Sequence, residues 1–197
     1  MNFYKRNTTL NTTTTALFVC MGIMFPLIFH FVGDGLGKIL LPMHIPVFLC
    51  GLICGPISGV ICGILVPIAC SLITSVPVMF PPAIAMSLEL ATYGFLSGLL
   101  LELFKKIKSN SIGRLKVVIS LLISMLVGRI VHGIFFALFT LMGSGEYSLK
   151  IFFIADFITP WIGIVIQIVA IPAIMEALSR LNVLAKYDIK YENAQKE

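Results

Sequence analysis

The stretch Leu115–Met142, LKVVISLLISMLVGRIVHGIFFALFTLM, decides the fold because it is long, predominantly apolar and carries only Lys116 and Arg129 as charged residues. A helix needs roughly 20 apolar residues to cross the hydrocarbon core of a bilayer. The rest of the 197-residue chain is similar, since 58% of its residues are hydrophobic and 12% are charged. A soluble domain usually carries about 25% charged residues. The composition therefore predicts an all-α integral membrane protein.

Six apolar stretches predict six transmembrane helices. Their bounds are 13–31, 44–54, 57–75, the residues after Pro82 to about 104, 115–142, and about 151–179 with Pro160 inside. The second stretch is too short for an ordinary span, so a tilted half-helix or a re-entrant segment is the alternative. The predicted organisation is a cytoplasmic N-terminus at 1–12, a six-helix substrate-binding domain at 13–180 and a cytoplasmic polar tail at 181–197.

The distribution of basic residues predicts the orientation. Of the 14 Lys and Arg residues, Lys38 and Lys150 fall in predicted outer loops and Arg129 inside a span. All the others fall in segments that are cytoplasmic when both termini are inside, as the positive-inside rule requires. We therefore expect a multi-pass protein of the cell membrane with both termini cytoplasmic. The net charge of +5 is explained by these residues and their anionic headgroup contacts, so it indicates no nucleic-acid partner.

Polar side chains inside the spans are the candidate binding residues, because charges there are expensive and usually face a cavity or each other. Glu89 and Tyr93 share one helix face, and so do Arg129 and His132. With Asp156 and Gln167 they gather in the predicted outer half, which indicates a pocket open to the outside. A structural ion pair between Glu89 and Arg129 is the alternative. His44 lies between two prolines, where helix capping is as good an explanation as ligand contact.

Small residues recur every four positions in two places. Gly51, Gly55, Gly59 and Gly63 predict close approach of the second and third helices. In the first helix, Ala16 and Cys20 continue a small-residue stripe that begins at Thr12. This second stripe serves either internal packing or contact with another membrane subunit.

Enzymatic chemistry is not indicated by any motif. The chain contains no HExxH, no GxSxG and no Walker-type phosphate loop, so it is not expected to hydrolyse ATP. All five cysteines lie in apolar runs, where thiols pack as small apolar groups. We predict no disulfide framework, metal or cofactor.

Three stretches carry a family resemblance: LPMHIPV at 41–47, CGLICGP at 50–56 and PPAIAMSLELATYG at 81–94. Together they resemble the substrate-binding S components of energy-coupling factor (ECF) vitamin transporters, most closely a branch associated with pantothenate. The resemblance implies that the protein binds a vitamin outside and associates with a transmembrane coupling subunit and two ATPase subunits. It then topples in the membrane to release the vitamin inside.

The resemblance also implies site residues. It places the pocket in the first outer loop and the outer halves of the last three spans, near Asp34, Lys38, Glu89, Tyr93, Arg129, His132, Asp156 and Gln167. The family's Ala-xxx-Ala contact with the coupling subunit corresponds to Ala16 and Cys20 here, with cysteine replacing the second alanine. For pantothenate, Arg129 is expected to bind the carboxylate, and His132 and Tyr93 the hydroxyls or amide. The alternatives are another vitamin such as cobalamin or a pyridoxine-like compound, a solitary facilitator, or a structural membrane protein without a ligand.

Overall fold

The computed structural model describes residues 8–32, 41–107, 113–141, 154, 158–181 and 184, with side chains omitted at 29–32 and 105–107. Within this part of the chain the architecture is all-α. The helices are α1 Thr8–Val32, α2 His44–Cys54, α3 Pro56–Thr74, α4 Ile84–Ile107, α5 Arg114–Leu141 and α6 Trp161–Arg180, and a π-helical turn, Met79–Ala83, leads into α4. The predicted all-α architecture is confirmed, and the helix bounds agree approximately with the prediction except at the starts of α1 and α6.

Five of these helices, all except α2, are long and apolar enough to cross a membrane. The helix α2 has 11 residues and is therefore about 17 Å long, whereas the hydrocarbon core is about 30 Å thick. The prediction of six spanning helices is thus confirmed for five, and α2 is a short core helix. Every α2 residue except Ile45 is buried, and the helix packs against α1, α3 and α4.

The first helix begins at Thr8, five residues before the predicted start at Thr13. The hydroxyls of Thr12, Thr13, Thr14 and Thr15 each donate to the carbonyl four residues earlier, at 2.7–2.9 Å. These internal bonds satisfy the hydroxyls within the helix. The threonine-rich residues 8–15 are therefore part of α1 and do not form a polar segment before it.

The last helix begins at Trp161, directly after Pro160. The sequence analysis placed Pro160 inside a continuous span, and this detail is wrong. Pro160 occupies the N-cap position, where its missing backbone N–H costs no helical hydrogen bond, whereas Pro172 is accommodated inside α6.

Glycines hold α2, α3 and α4 together. A Cβ added at Gly51 or Gly59 would overlap the backbone of Gly94, and one at Gly63 would lie 2.5 Å from the backbone of Leu90. The expected close approach at these glycines is confirmed, and α4 supplies the main facing surface. At Gly59 and Gly94 the two backbones touch directly, and at Gly51 the Ser97 hydroxyl also lies in the contact.

Ring and backbone contacts define two ends of the bundle. At one end, Phe80 contacts Phe139 near the end of α5, and His44 at the start of α2 contacts Tyr93 in the first half of α4. At the other end, Nδ2 of Asn11 in α1 donates to the carbonyl of Cys54 at 3.4 Å. The first of these ends holds the candidate site.

Candidate functional site

Glu89 and Tyr93 lie four residues apart on α4 and face the interior together, as the sequence predicted. Tyr93 is fully buried and Glu89 is 5% exposed. The Tyr93 hydroxyl donates a hydrogen bond to Oε1 of Glu89. Burial of a carboxylate is expensive unless its oxygens are bonded, so this bond stabilises Glu89 inside the bundle. It also commits the Tyr93 proton to Glu89.

The Tyr93 ring is held by α2. It stacks on Phe48 with ring centroids 4.9 Å apart and an interplanar angle of 19°. The His44 ring lies 5.5 Å away at a tilt of 50°. Phe48 was missed by the sequence analysis, although its place one turn after His44 puts both rings on one face of α2.

Gly128 of α5 also packs against the Tyr93 ring. A Cβ at this position would overlap the Tyr93 ring and would lie 3.1 Å from the carbonyl oxygen of Glu89. Only a residue without a side chain lets α5 approach so closely. This role was also missed, because a single glycine in an apolar helix gives no signal of what it faces.

Arg129 directly follows Gly128 and is 4% exposed. Arg129 and His132 both lie near enough to His44 to interact with it through charge. Helices α2, α4 and α5 therefore bring together His44, Glu89, Tyr93, Arg129 and His132, which we call the polar cluster. The sequence had proposed all five as substrate-binding residues, and Glu89, Tyr93, Arg129 and His132 are all engaged by partners in the structure.

Several buried polar atoms have no hydrogen-bond partner among the described residues. They include Nδ1 of His44, whose residue is 2% exposed, and Nε2 of Gln167, whose residue is 1% exposed. Oδ1 of Asn11 on α1 and Oγ of Ser71 on α3 also belong to this set. Gln167 lies on the buried face of α6 with Gly163 and Ile171, and α6 packs on α5 and α2. An unsatisfied buried polar group costs about 1–3 kcal/mol, so a small polar molecule that bonds to these atoms would recover that energy.

The remaining predicted site residues are in two groups. Asp34, Lys38 and Asp156 lie outside the described residues. Ala16 and Cys20 are on α1, and both are exposed at the surface of the bundle. In this chain, therefore, the small-residue stripe does not pack inside the described part of the bundle.

The chemistry available to the polar cluster is reversible binding. It offers a guanidinium, two imidazoles and a tyrosine-bonded carboxylate, which are groups that recognise small polar molecules. Among the described residues, no group of three or more His, Cys, Asp or Glu side chains is placed to hold a metal ion.

Five membrane-length apolar helices around a buried polar cluster are the architecture expected of a membrane protein that binds a small molecule. The family model for the ECF transporter, substrate-specific component, matches residues 10–181. The chain therefore belongs to the family of ECF transporter substrate-specific components. No match was found among curated proteins or solved structures.

Membership of this family makes the chain a substrate-specific membrane subunit of an ECF transporter. Such components are substrate-binding transport subunits and not enzymes, and their ATPase partners are separate chains. The family implies a small-molecule substrate and association with the components of an ECF module. The residues of the site determine which substrate is bound.

Proposed function

We propose that this chain binds a water-soluble vitamin or vitamin precursor at the polar cluster and delivers it across the cell membrane with an ATP-driven ECF module. Pantothenate is the first candidate. The observation that carries this proposal is the burial of His44 and Gln167 with polar atoms that have no partner among the described residues. Buried polar atoms are normally bonded, and a bound substrate would supply the missing partner.

The hydrogen-bond donors at and near the polar cluster support a substrate that carries a carboxylate. Arg129 has paired N–H donors that match a carboxylate, and Gln167 offers amide N–H groups. The only carboxylate in the cluster, Glu89, already accepts a hydrogen bond from Tyr93. We propose that Arg129 binds the carboxylate of pantothenate and that His44, His132 and Gln167 bond its hydroxyl and amide groups.

Tyr93 has a different role in this proposal from the one the sequence suggested. Its hydroxyl proton is donated to Glu89 and its ring is enclosed by Phe48 and Gly128. We propose that Tyr93 and Glu89 position the neighbouring groups and that the substrate contacts mainly Arg129 and His44.

Binding is tested with the purified full chain in detergent, by thermal shift and isothermal titration against water-soluble vitamins. We expect pantothenate to raise the unfolding temperature, because a ligand that binds only the folded state stabilises it. Arg129→Gln should weaken binding by about 10- to 100-fold, since hydrogen bonds to charged groups contribute about 1.5–3 kcal/mol. Arg180→Gln is the matched control, because Arg180 is exposed and pairs with Glu176.

The outcomes separate the alternatives. Tight binding of cobalamin or a pyridoxine-like compound in place of pantothenate would correct the substrate and keep the function. Uptake into vesicles without the ECF module and without ATP would indicate a solitary facilitator. The absence of binding by every vitamin would refute the proposal.

The coupling surface is proposed at Ala16 and Cys20. Their exposure on α1 supports contact with the transmembrane coupling subunit, because small residues let helices approach closely. Cys20→Trp should abolish ATP-driven uptake and leave binding unchanged. Leu126→Trp, at a position of α5 that is 55% exposed, is the control and should leave both unchanged. Loss of binding in Cys20→Trp would contradict this assignment.

The orientation is proposed from charge. Arg114 and Lys116 lie at the start of α5, far from the polar cluster. With the basic residues near the end of α4 they place this end in the cytoplasm by the positive-inside rule. Asn11 at the start of α1 contacts Cys54 at the end of α2, so α2 returns the chain to the side of the N-terminus although it is short. With the four longer helices that follow, we propose that both termini are cytoplasmic, which epitope tags at each terminus would test in right-side-out vesicles.

A further inference from the structure

One face of α5 continues from the polar cluster towards the end of the helix. Arg129, His132, Phe136 and Phe139 are spaced by three, four and three residues, so they lie on the same side of an α-helix. At 1.5 Å per residue, Phe136 lies about 10 Å beyond Arg129 along the axis, and Phe139 about 15 Å beyond it. This face therefore changes from a cation to phenyl rings within the length of a small molecule.

The side chains at the aromatic end of this face are also more exposed than Arg129. Arg129 is 4% exposed, whereas His132, Phe136 and Phe139 are half-buried and Phe80 of the π-helical turn is 56% exposed. The charged end of the face is thus deep in the bundle, and the aromatic end is near its surface.

Ring contacts make the aromatic end continuous with the polar cluster. The His132 and Phe136 rings meet edge to face with centroids 4.9 Å apart. Phe80 meets Phe139 edge to face at 5.2 Å. His132 is also near His44, so within the polar cluster it is the member that contacts the phenyl rings.

We propose that the substrate class is a monocarboxylate with an apolar body, bound with the carboxylate at Arg129 and the apolar body against Phe136. This inference rests on the proposed function and adds the orientation of the bound molecule. Arg129 offers paired N–H donors that match a carboxylate. Phe136 offers an apolar surface about 10 Å away along the helix axis.

The reverse orientation is unfavourable at both ends. A carboxylate near Phe136 would meet a single imidazole, that of His132, among phenyl rings, and would forgo the paired donors of Arg129. An apolar group at the other end would cover Nδ1 of His44 and leave it without a partner. This second change leaves a buried polar group unsatisfied.

The test uses pairs of probes that differ only at the carboxylate: pantothenate and pantothenol, biotin and biotinamide, nicotinate and nicotinamide. For the acid that binds the wild-type chain, the neutral counterpart should bind about 10- to 100-fold more weakly, the range for hydrogen bonds to a charged group. This comparison is made on the unaltered protein, so it needs no variant to fold.

Variants then locate each end of the bound acid. The difference between acid and neutral probe should vanish in Arg129→Gln, shrink in Arg129→Lys, which keeps the charge without the paired donors, and persist in Phe136→Ala. Phe136→Ala should weaken both probes equally, by about tenfold, because apolar contact area is lost. Leu138→Ala, at a 57% exposed position of the same helix, is the control and should change neither.

Each outcome has one meaning. Tight binding of thiamine, pyridoxine or cobalamin, which carry no free carboxylate, overturns the monocarboxylate class while the proposed function stands. A difference that vanishes in Phe136→Ala and persists in both Arg129 variants overturns the orientation. Failure of every vitamin to bind overturns the proposed function and this inference together.

Discussion

The substitution Gly128→Ala tests the packing that positions the polar cluster. The new Cβ would overlap Cε1 of Tyr93 and lie 2.5 Å from Cδ1, where ordinary contact begins at 3.4 Å, so the ring has to withdraw by more than about 0.9 Å. The stack on Phe48 restricts the movement of the ring. Overpacking of this kind costs about 1–3 kcal/mol, and alanine recovers up to about 1 kcal/mol through its higher helix propensity.

We therefore expect Gly128→Ala to lower the free energy of unfolding by about 1–2 kcal/mol and to weaken vitamin binding by at least about tenfold, since displacement of Tyr93 disturbs its bond to Glu89. Thermal unfolding and isothermal titration in the same detergent measure the two effects. A double-mutant cycle with Tyr93→Leu supplies the control, because removal of the ring removes the overlap. Strictly additive effects in this cycle, or unchanged binding in Gly128→Ala, would refute the reasoning.

Three further substitutions test other parts of the structure, each by thermal unfolding. Gly94→Ala would place a Cβ 2.5 Å from the backbone carbon of Gly59, and we expect a loss of about 1–3 kcal/mol as α3 and α4 separate. Tyr93→Phe should lower the free energy of unfolding by about 1–3 kcal/mol because Glu89 loses a hydrogen bond. The same substitution made in a Glu89→Gln background should lower it by less. An equal loss in the two backgrounds would contradict this account. Thr13→Val should change stability by less than about 0.5 kcal/mol, because the Thr13 hydroxyl is exposed and bonds only within α1.

Helix positions could be predicted from the sequence because lipid makes length and polarity decisive. The short helix α2 was predicted with its observed bounds, since prolines and Gly55-Pro56 limit it on both sides. The start of α1 was missed because threonine is polar by composition, although its hydroxyl bonds within the helix. The start of α6 was misplaced because the apolar run continues through Pro160, and hydrophobicity alone does not show that the helix begins only after this proline.

Some residues of the candidate site could be recognised from the sequence and others could not, for physical reasons. Glu89, Tyr93 and Arg129 were recognisable because charged and polar groups are rare inside spans. Phe48 and Gly128 were not recognisable, since apolar and small residues are common in such helices and their importance depends on what they face. The bond between Tyr93 and Glu89 required the structure, because spacing along a helix shows a shared face but not which groups bond.

The contact between Gly59 and Gly94 restricts how the sequence can change over time. A Cβ on either residue meets the backbone of the other, so no side chain on the opposite helix can be trimmed to make room. A first mutation at one of these positions therefore cannot be compensated by a second at its partner. In related sequences we expect the two positions to remain glycine together, or to change only where the whole helix pair has moved apart.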